Sequence, residues 1–133
     1  MPKYSIVVDE AQARILAEAL DLYMRIGIGQ LTEVVRVYNY EWKTPIPTVD
    51  RLVDVMNEAK RVIGFGPGGS YGIQSREVHD VFRQAYDIRQ VIRHRLAWDH
   101  TPTGGFGVDF DTPQQIGKLP LPTIGGVGGG DEK

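Results

Sequence analysis

Five glycines and a proline fall within residues 64–72, and this stretch limits the fold more than any other feature of the 133-residue chain. Glycine loses the most conformational entropy on ordering and proline lacks a backbone donor, so no regular element runs through it. Helices must stop before it and begin again after it. A second break, Thr44-Pro-Ile-Pro-Thr48, divides the first half, because each proline also disfavours helix at the residue before it.

Between the breaks, apolar residues recur at helical spacing. Ile15, Ala19, Leu22 and Ile26, widened by Leu16, Leu20 and Tyr23, predict a helix over 9–26 with this stripe toward the core. Asp9 offers its N-cap and Gln12 stands at capping-box spacing. Arg14 and Glu18, like Asp21 and Arg25, are opposite charges four apart on the polar face. Gly27 and Gly29 interrupt the run, and Leu31, Val34, Val35 and Tyr38 resume it over 30–41. A third helix is expected over 49–63, with Thr48 as N-cap and Gly64 past its end, and a fourth over 75–98, capped by Ser75.

Two segments have strand character. Residues 4–8 are β-branched and apolar, and near 106–110 Phe106, Val108 and Phe110 alternate with Gly107 and Asp109. The expected fold is therefore α-rich α+β: four helices, two short strands and an extended C-terminal arm. One domain over 1–122 is expected, with a helical body at 1–98 and a Pro-rich arm at 99–122. The Gly-rich tail, 123–133, is expected to be disordered. Two short strands make no stable sheet alone, so they pair with each other against the helices or with another copy. A homo-oligomer is expected.

Composition excludes several function classes. The chain has no cysteine, which rules out disulfides, thiolate metal sites and a thiol nucleophile. Its 15 basic and 17 acidic residues do not suit a protein that coats nucleic acid. No apolar run approaches the roughly 20 residues of a membrane helix, and the N-terminus has no signal-peptide core. A cytoplasmic protein without membrane or nucleic-acid-polymer partners is expected.

Two segments carry site candidates. Gly64-Phe-Gly-Pro-Gly-Gly69 matches G-x-G-x-x-G as text, but a helix precedes it, which is the wrong context for a dinucleotide fingerprint. Either it is a plain helix connector, or its glycine amides end at a helix start and form an anion site, with Ser70 and Tyr71 beside it. In the fourth helix, Val78, Val81, Phe82, Ala85, Ile88, Ile92 and Leu96 form the core arc, and Arg89 falls inside it. Arg89 either pairs internally, with Asp21 or Asp109, or meets a ligand anion in bidentate fashion. On the other side, Arg76/Asp80 and Arg83/Asp87 read as a solvated face, while Arg93-His94-Arg95 either answers the helix dipole or contacts an anion. Arg25, beside Gly27 and Gly29, is of the same kind. Catalytic patterns are absent: no H-E-x-x-H, no G-x-S-x-G, and no paired histidines at ligand spacing. His94 and His100 alone do not make a metal site, and Asp109 with Asp111 reads more simply as a charged edge. No enzyme, cofactor or metal is expected.

Four stretches carry a resemblance: Glu10-Ala-Gln-Ala-Arg14, residues 19–31 with Arg-Ile-Gly-Ile-Gly-Gln at 25–30, Gly68-Gly-Ser-Tyr-Gly-Ile73, and residues 85–98 with Gln-Val-Ile-Arg-His-Arg-Leu-Ala-Trp at 90–98. With its Val-Asp-Phe-Asp-Thr-Pro run at 108–113 and Pro-Leu-Pro tail, the chain resembles small proteins encoded by many tailed bacteriophages, over most of 4–122. By analogy with phage proteins of this size, the resemblance implies an anti-defence sponge. Such a protein binds and sequesters, without catalysis, an anionic nucleotide-like signal of the cyclic nucleotide or ADP-ribose type in the host cytoplasm. The residues expected to meet it are Arg25, Gln30, Gly68, Gly69, Ser70, Tyr71, Arg89, Arg93 and His94. The alternative is a phage structural or protein-binding accessory protein whose arginines and glycines only hold the fold. A nucleotide-acting enzyme is third.

Overall fold

The computed structural model describes residues 1–127; the last six residues of the expected Gly-rich tail lie outside the described residues. Four helices form in chain order: α1 (Glu10–Gly27), α2 (Glu33–Tyr38), α3 (Ile46–Val62) and α4 (Asp80–His100). No strand forms among the described residues, so the fold is all-helical and the expected α+β class is corrected.

Both strand segments fail for physical reasons. Residues 4–8 have no second strand to pair with and lie exposed and irregular before α1. At 106–110, Gly107 takes a φ of 113°, which turns the chain out of any extended run. Val108–Phe110 then forms one 3-10 turn, held from α4 by Arg93, His94 and Trp98.

α1 begins as its sequence requires. The Asp9 carboxylate accepts from the Gln12 amide at 2.8 Å, and the Asp9 amide donates to the Gln12 side chain at 2.9 Å. The other helix starts and two of the ends move. α2 is shorter than 30–41: Gly29, at φ +95°, turns the chain first, and Asn39 ends the helix. α3 starts three residues earlier than 49–63, with Pro45 rather than Thr48 as N-cap and Pro47 tolerated in the first turn. α4 starts at Asp80 with His79 as N-cap, because Ser75 is engaged elsewhere. The Ser75 hydroxyl donates to the Glu77 carboxylate at 2.7 Å and accepts from the Glu77 amide, which closes a separate turn.

α1 and α4 run antiparallel. Gly27 at the end of α1 meets Phe82 in the first turn of α4, and Asp21 lies against Arg89 one level further along. A Cβ at position 27 would overlap the Phe82 ring, so glycine is what lets the helices approach. Met24, Ile28, Val78 and Ala85 form the core here, with Leu20, Ile73, Phe82 and Tyr86 packed around it.

After α4 the chain turns back, and residues 101–118 form a belt along that helix. The belt is fastened by Asp80, Gln84, Asp87, His94 and Trp98, which share one α4 face at 100° per residue. Trp98 Nε1 donates to the Phe110 carbonyl at 3.0 Å and its ring meets Phe110 edge-on at 5.6 Å. Asp87 is only 3% exposed, and its carboxylate accepts from the Ile116 amide at 3.0 Å and the Gly117 amide at 2.9 Å. Asp80 accepts from the Lys118 amide at 3.0 Å and from the Gln84 side chain at 2.7 Å. α4 thus lies between α1 and the belt.

Candidate functional site

Residues 11–22 of α1, α2 with the residue pair after it, and the last turns of α4 leave an open groove of about 1070 Å³. Its floor is apolar: Ile15, Ala19 and Leu22 from α1, Val37 and Tyr40 from the α2 side, Leu96 and Ala97 from α4, and Phe110 from the belt. This is the α1 stripe that periodicity assigns to the core. The structure buries a different face, Ala13, Ala17, Asp21 and Met24, whose small side chains allow close packing on α4. Ile15 is left 65% exposed.

Charged residues rim the groove and are matched in sign. Arg36 bonds Glu33 at 3.1 Å and Glu18 at 3.2 Å, and these hydrogen bonds, Glu33's first, push its pKa above the usual arginine value against the cost of burial. Arg93 grips the Asp109 carboxylate through Nε at 3.1 Å and Nη2 at 2.8 Å. The contact raises the Arg93 pKa and holds the Asp109 carboxyl below its usual range. Arg14, on the α1 side of the rim, bonds Glu10 at 3.4 Å rather than Glu18.

The nine residues expected at an anion site do not converge. Arg89 is 16% exposed and lies 3.1 Å from Asp21, in contact but without the alignment of a hydrogen bond, while its Nη1 donates to Gln90. Arg25 bonds Asp21 at 2.9 Å and the Gln30 side chain at 2.8 Å, with Glu33 at 3.3 Å. Asp21 is therefore the hub of three guanidiniums, Arg36 being the third at 3.5 Å. Of the nine, only Arg93 lines the groove. His94 faces the belt, its Nδ1 at 2.9 Å from the Asp109 carbonyl oxygen.

Gly68, Gly69, Ser70 and Tyr71 belong to a connector. The Gly69 amide closes a turn on Gly66, and the Tyr71 amide donates to the Ile28 carbonyl at 2.8 Å. The Tyr71 ring meets Phe65 edge-on, and Phe65 in turn covers Gly29. The loop does not open α4, which starts eight residues after Gly72 with the carboxylate of Asp80 in its first turn. The glycine amides and a helix start are thus separated, and the geometry required of an anion site there is missing. The solvated face is corrected too. Arg83 bonds Asp80 at 3.1 Å and the carbonyls of Ile73, Ser75 and Val78, leaving Asp87 to the belt.

Periodicity found the groove's Ile15, Ala19 and Leu22 but not their exposure. Trp42, beside Tyr40, belongs to no motif or periodic stripe of the sequence. It is 81% exposed and holds a φ of 58°, the one non-glycine residue of positive φ among the described residues. Among the described residues no three acidic or histidine side chains gather at metal-binding distance, and no helix is long and apolar enough to cross a membrane. No family model matches the chain, and no curated protein or solved structure is similar to it at a meaningful level.

Proposed function

We propose that this chain is a non-catalytic accessory protein of the cytoplasm that works by docking protein surface into the α1–α2–α4 groove. Its arginines and glycines serve the fold. The observation that carries this proposal is the uncovered α1 stripe: an amphipathic helix whose Ile15, Ala19 and Leu22 line an open groove while Ala13, Asp21 and Met24 are buried. Apolar area of this kind gains about 25 cal/mol per Å² when covered, whereas left open it is a liability. A tailed phage is the source that the sequence resemblance favours, and a small accessory protein suits it.

Sequestration of an anionic nucleotide-like signal, as by an anti-defence sponge, is the second reading. One observation favours it: the groove is ligand-sized and combines the rings of Tyr40 and Phe110 with Arg14, Arg36 and Arg93. Against it, each guanidinium already has a carboxylate within 3.4 Å, which an incoming phosphate would have to displace.

Two measurements on the full chain decide between them. With a benzophenone side chain in place of Ile15, irradiation in the producing cells is expected to give a polypeptide adduct; none would overturn the docking proposal. Thermal shift with cyclic dinucleotides, ADP-ribose and mononucleotides is expected to show no saturable stabilisation. A stabilising nucleotide returned intact after heat denaturation would favour the sponge, and one returned altered would favour an enzyme.

A further inference from the structure

We infer that the groove's occupant is a second copy of this chain, and that Trp42 of each copy enters the groove of the other. This rests on the groove being a protein-docking surface and names the partner.

The first argument is area. A folded monomer of 14.8 kDa exposes about 7,000 Å² of surface. This chain exposes 9496 Å². The extended N-terminal arm supplies part of the excess, and exposed apolar side chains of the helices and their connections supply more. A stable two-partner interface covers about 800 Å² on each side, which the excess accommodates.

The second argument is the placement of Trp42. The indole is the larger of the two side-chain types that dominate binding hot spots together with arginine, and burying one removes roughly 150–250 Å² from water. Here it stands in solvent two residues from Tyr40, which lines the groove. Its backbone is held in the left-handed region by the turn before α3. The Trp42 amide donates to the Asn39 carbonyl at 3.0 Å, and the Thr44 amide donates to the Asn39 side chain at 3.1 Å. The turn thus holds a large apolar side chain out in solvent, where a partner can cover it.

The third argument is symmetry. A two-fold interface uses the same patch on both copies, so the patch must carry both a projection and a recess, and charges of both signs. Trp42 follows the groove-lining Tyr40 by two residues and stands in solvent, and the rim has Arg14, Arg36 and Arg93 together with Glu18 and Asp109. An interface with a different, strongly charged protein would leave one sign unmatched.

Trp98→Phe leaves Trp42 as the single indole. As concentration rises from nanomolar to micromolar, the Trp42 emission is expected to shift to the blue and lose acrylamide quenching, in step with the mass seen by light scattering. Ile15→Glu, at an exposed position, is expected to abolish both changes while helix content by circular dichroism stays unchanged. A mass that doubles while Trp42 stays fully quenchable would overturn the placement of Trp42 in the interface. A monomer at every concentration would overturn the second copy as occupant, and the benzophenone adduct would still report independently on the groove. Should Trp98→Phe disturb the belt, Trp42→Ala in the parent chain gives the same decision by mass alone.

Discussion

Asp21 and Arg89 look like an equal pair, but their environments make them unequal. Removing Arg89 leaves Asp21 with Arg25 at 2.9 Å and Arg36 at 3.5 Å, so the carboxylate keeps opposite charge around it. Removing Asp21 leaves the Arg89 guanidinium, 16% exposed, bonded among the described residues only to the neutral Gln90 side chain, with the Asp109 charge acting on it from farther off. A buried charge stranded in this way costs about 3–5 kcal/mol, and one that keeps partners costs less. Denaturant unfolding is expected to show Asp21→Asn losing about 3–5 kcal/mol and Arg89→Met about 1–2 kcal/mol. Equal losses would mean that Asp21 is not the hub. The position of Arg89 in the core arc was legible in the spacing, whereas the spacing left Asp21 and Asp109 equally open as its partner. That three arginines share one carboxylate was not legible, because Arg36 reaches it from a different helix.

At the scale of elements, the belt is the feature that local pattern conceals. Its hooks on α4 are polar residues at helical spacing, and a polar stripe looks like a solvated face until something covers it. Asp80, Asp87, His94 and Trp98 are all visible in the sequence, yet their belt partners are backbone groups 12 to 38 residues away, and Gln84 bonds the Asp80 side chain. The two lost strands have the same origin. Alternation at 106–110 reports side chains, whereas Gly107 and the grip of Arg93 on Asp109 decide the backbone. The capping box of α1, being local, was fully legible.

The belt's hooks also make it sensitive to acid. The Gln84 side chain, the Lys118 amide and Arg83 lower the Asp80 carboxyl from 3.8 to about 2, and Arg93 lowers that of Asp109. Folded carboxyls depressed in this way favour the closed belt above the ordinary carboxylate pKa, and the contribution disappears as pH falls toward the folded value. The indole N–H resonance of Trp98, bonded to the Phe110 carbonyl, is expected to move toward that of a free indole as pH drops from about 4 to about 2. A resonance that does not move over this range would show that the carboxylates do not hold the belt. At neutral pH, Asp87→Ala is expected to cost about 3 kcal/mol, because two backbone amides lose their charged acceptor. A cost within about 0.5 kcal/mol of zero, the range of an ordinary surface substitution, would contradict this.

For the whole molecule, helix periodicity located all four helices and the core positions Val78, Phe82 and Ala85 on and before α4, but misjudged which face α1 buries. An apolar stripe predicts that a helix face meets something, and it is silent on whether that something is the same chain. In α1 the face of Ala13, Ala17 and Met24 is buried, and Ile15 and Leu22 line the open groove. The residues expected at an anion site show the same dependence on tertiary context: arginines read singly suggest ligands, while in the fold they lie beside Asp21, Glu33 and Asp109. The outcome is a small helical protomer whose groove arginines each meet a carboxylate while the apolar floor of the groove stays open, the face proposed to take a second copy. Light scattering on the full-length protein at micromolar concentration tests this most directly. The expected mass is twice 14.8 kDa, falling to the protomer value for Ile15→Glu; a parent chain that stays at 14.8 kDa would contradict it.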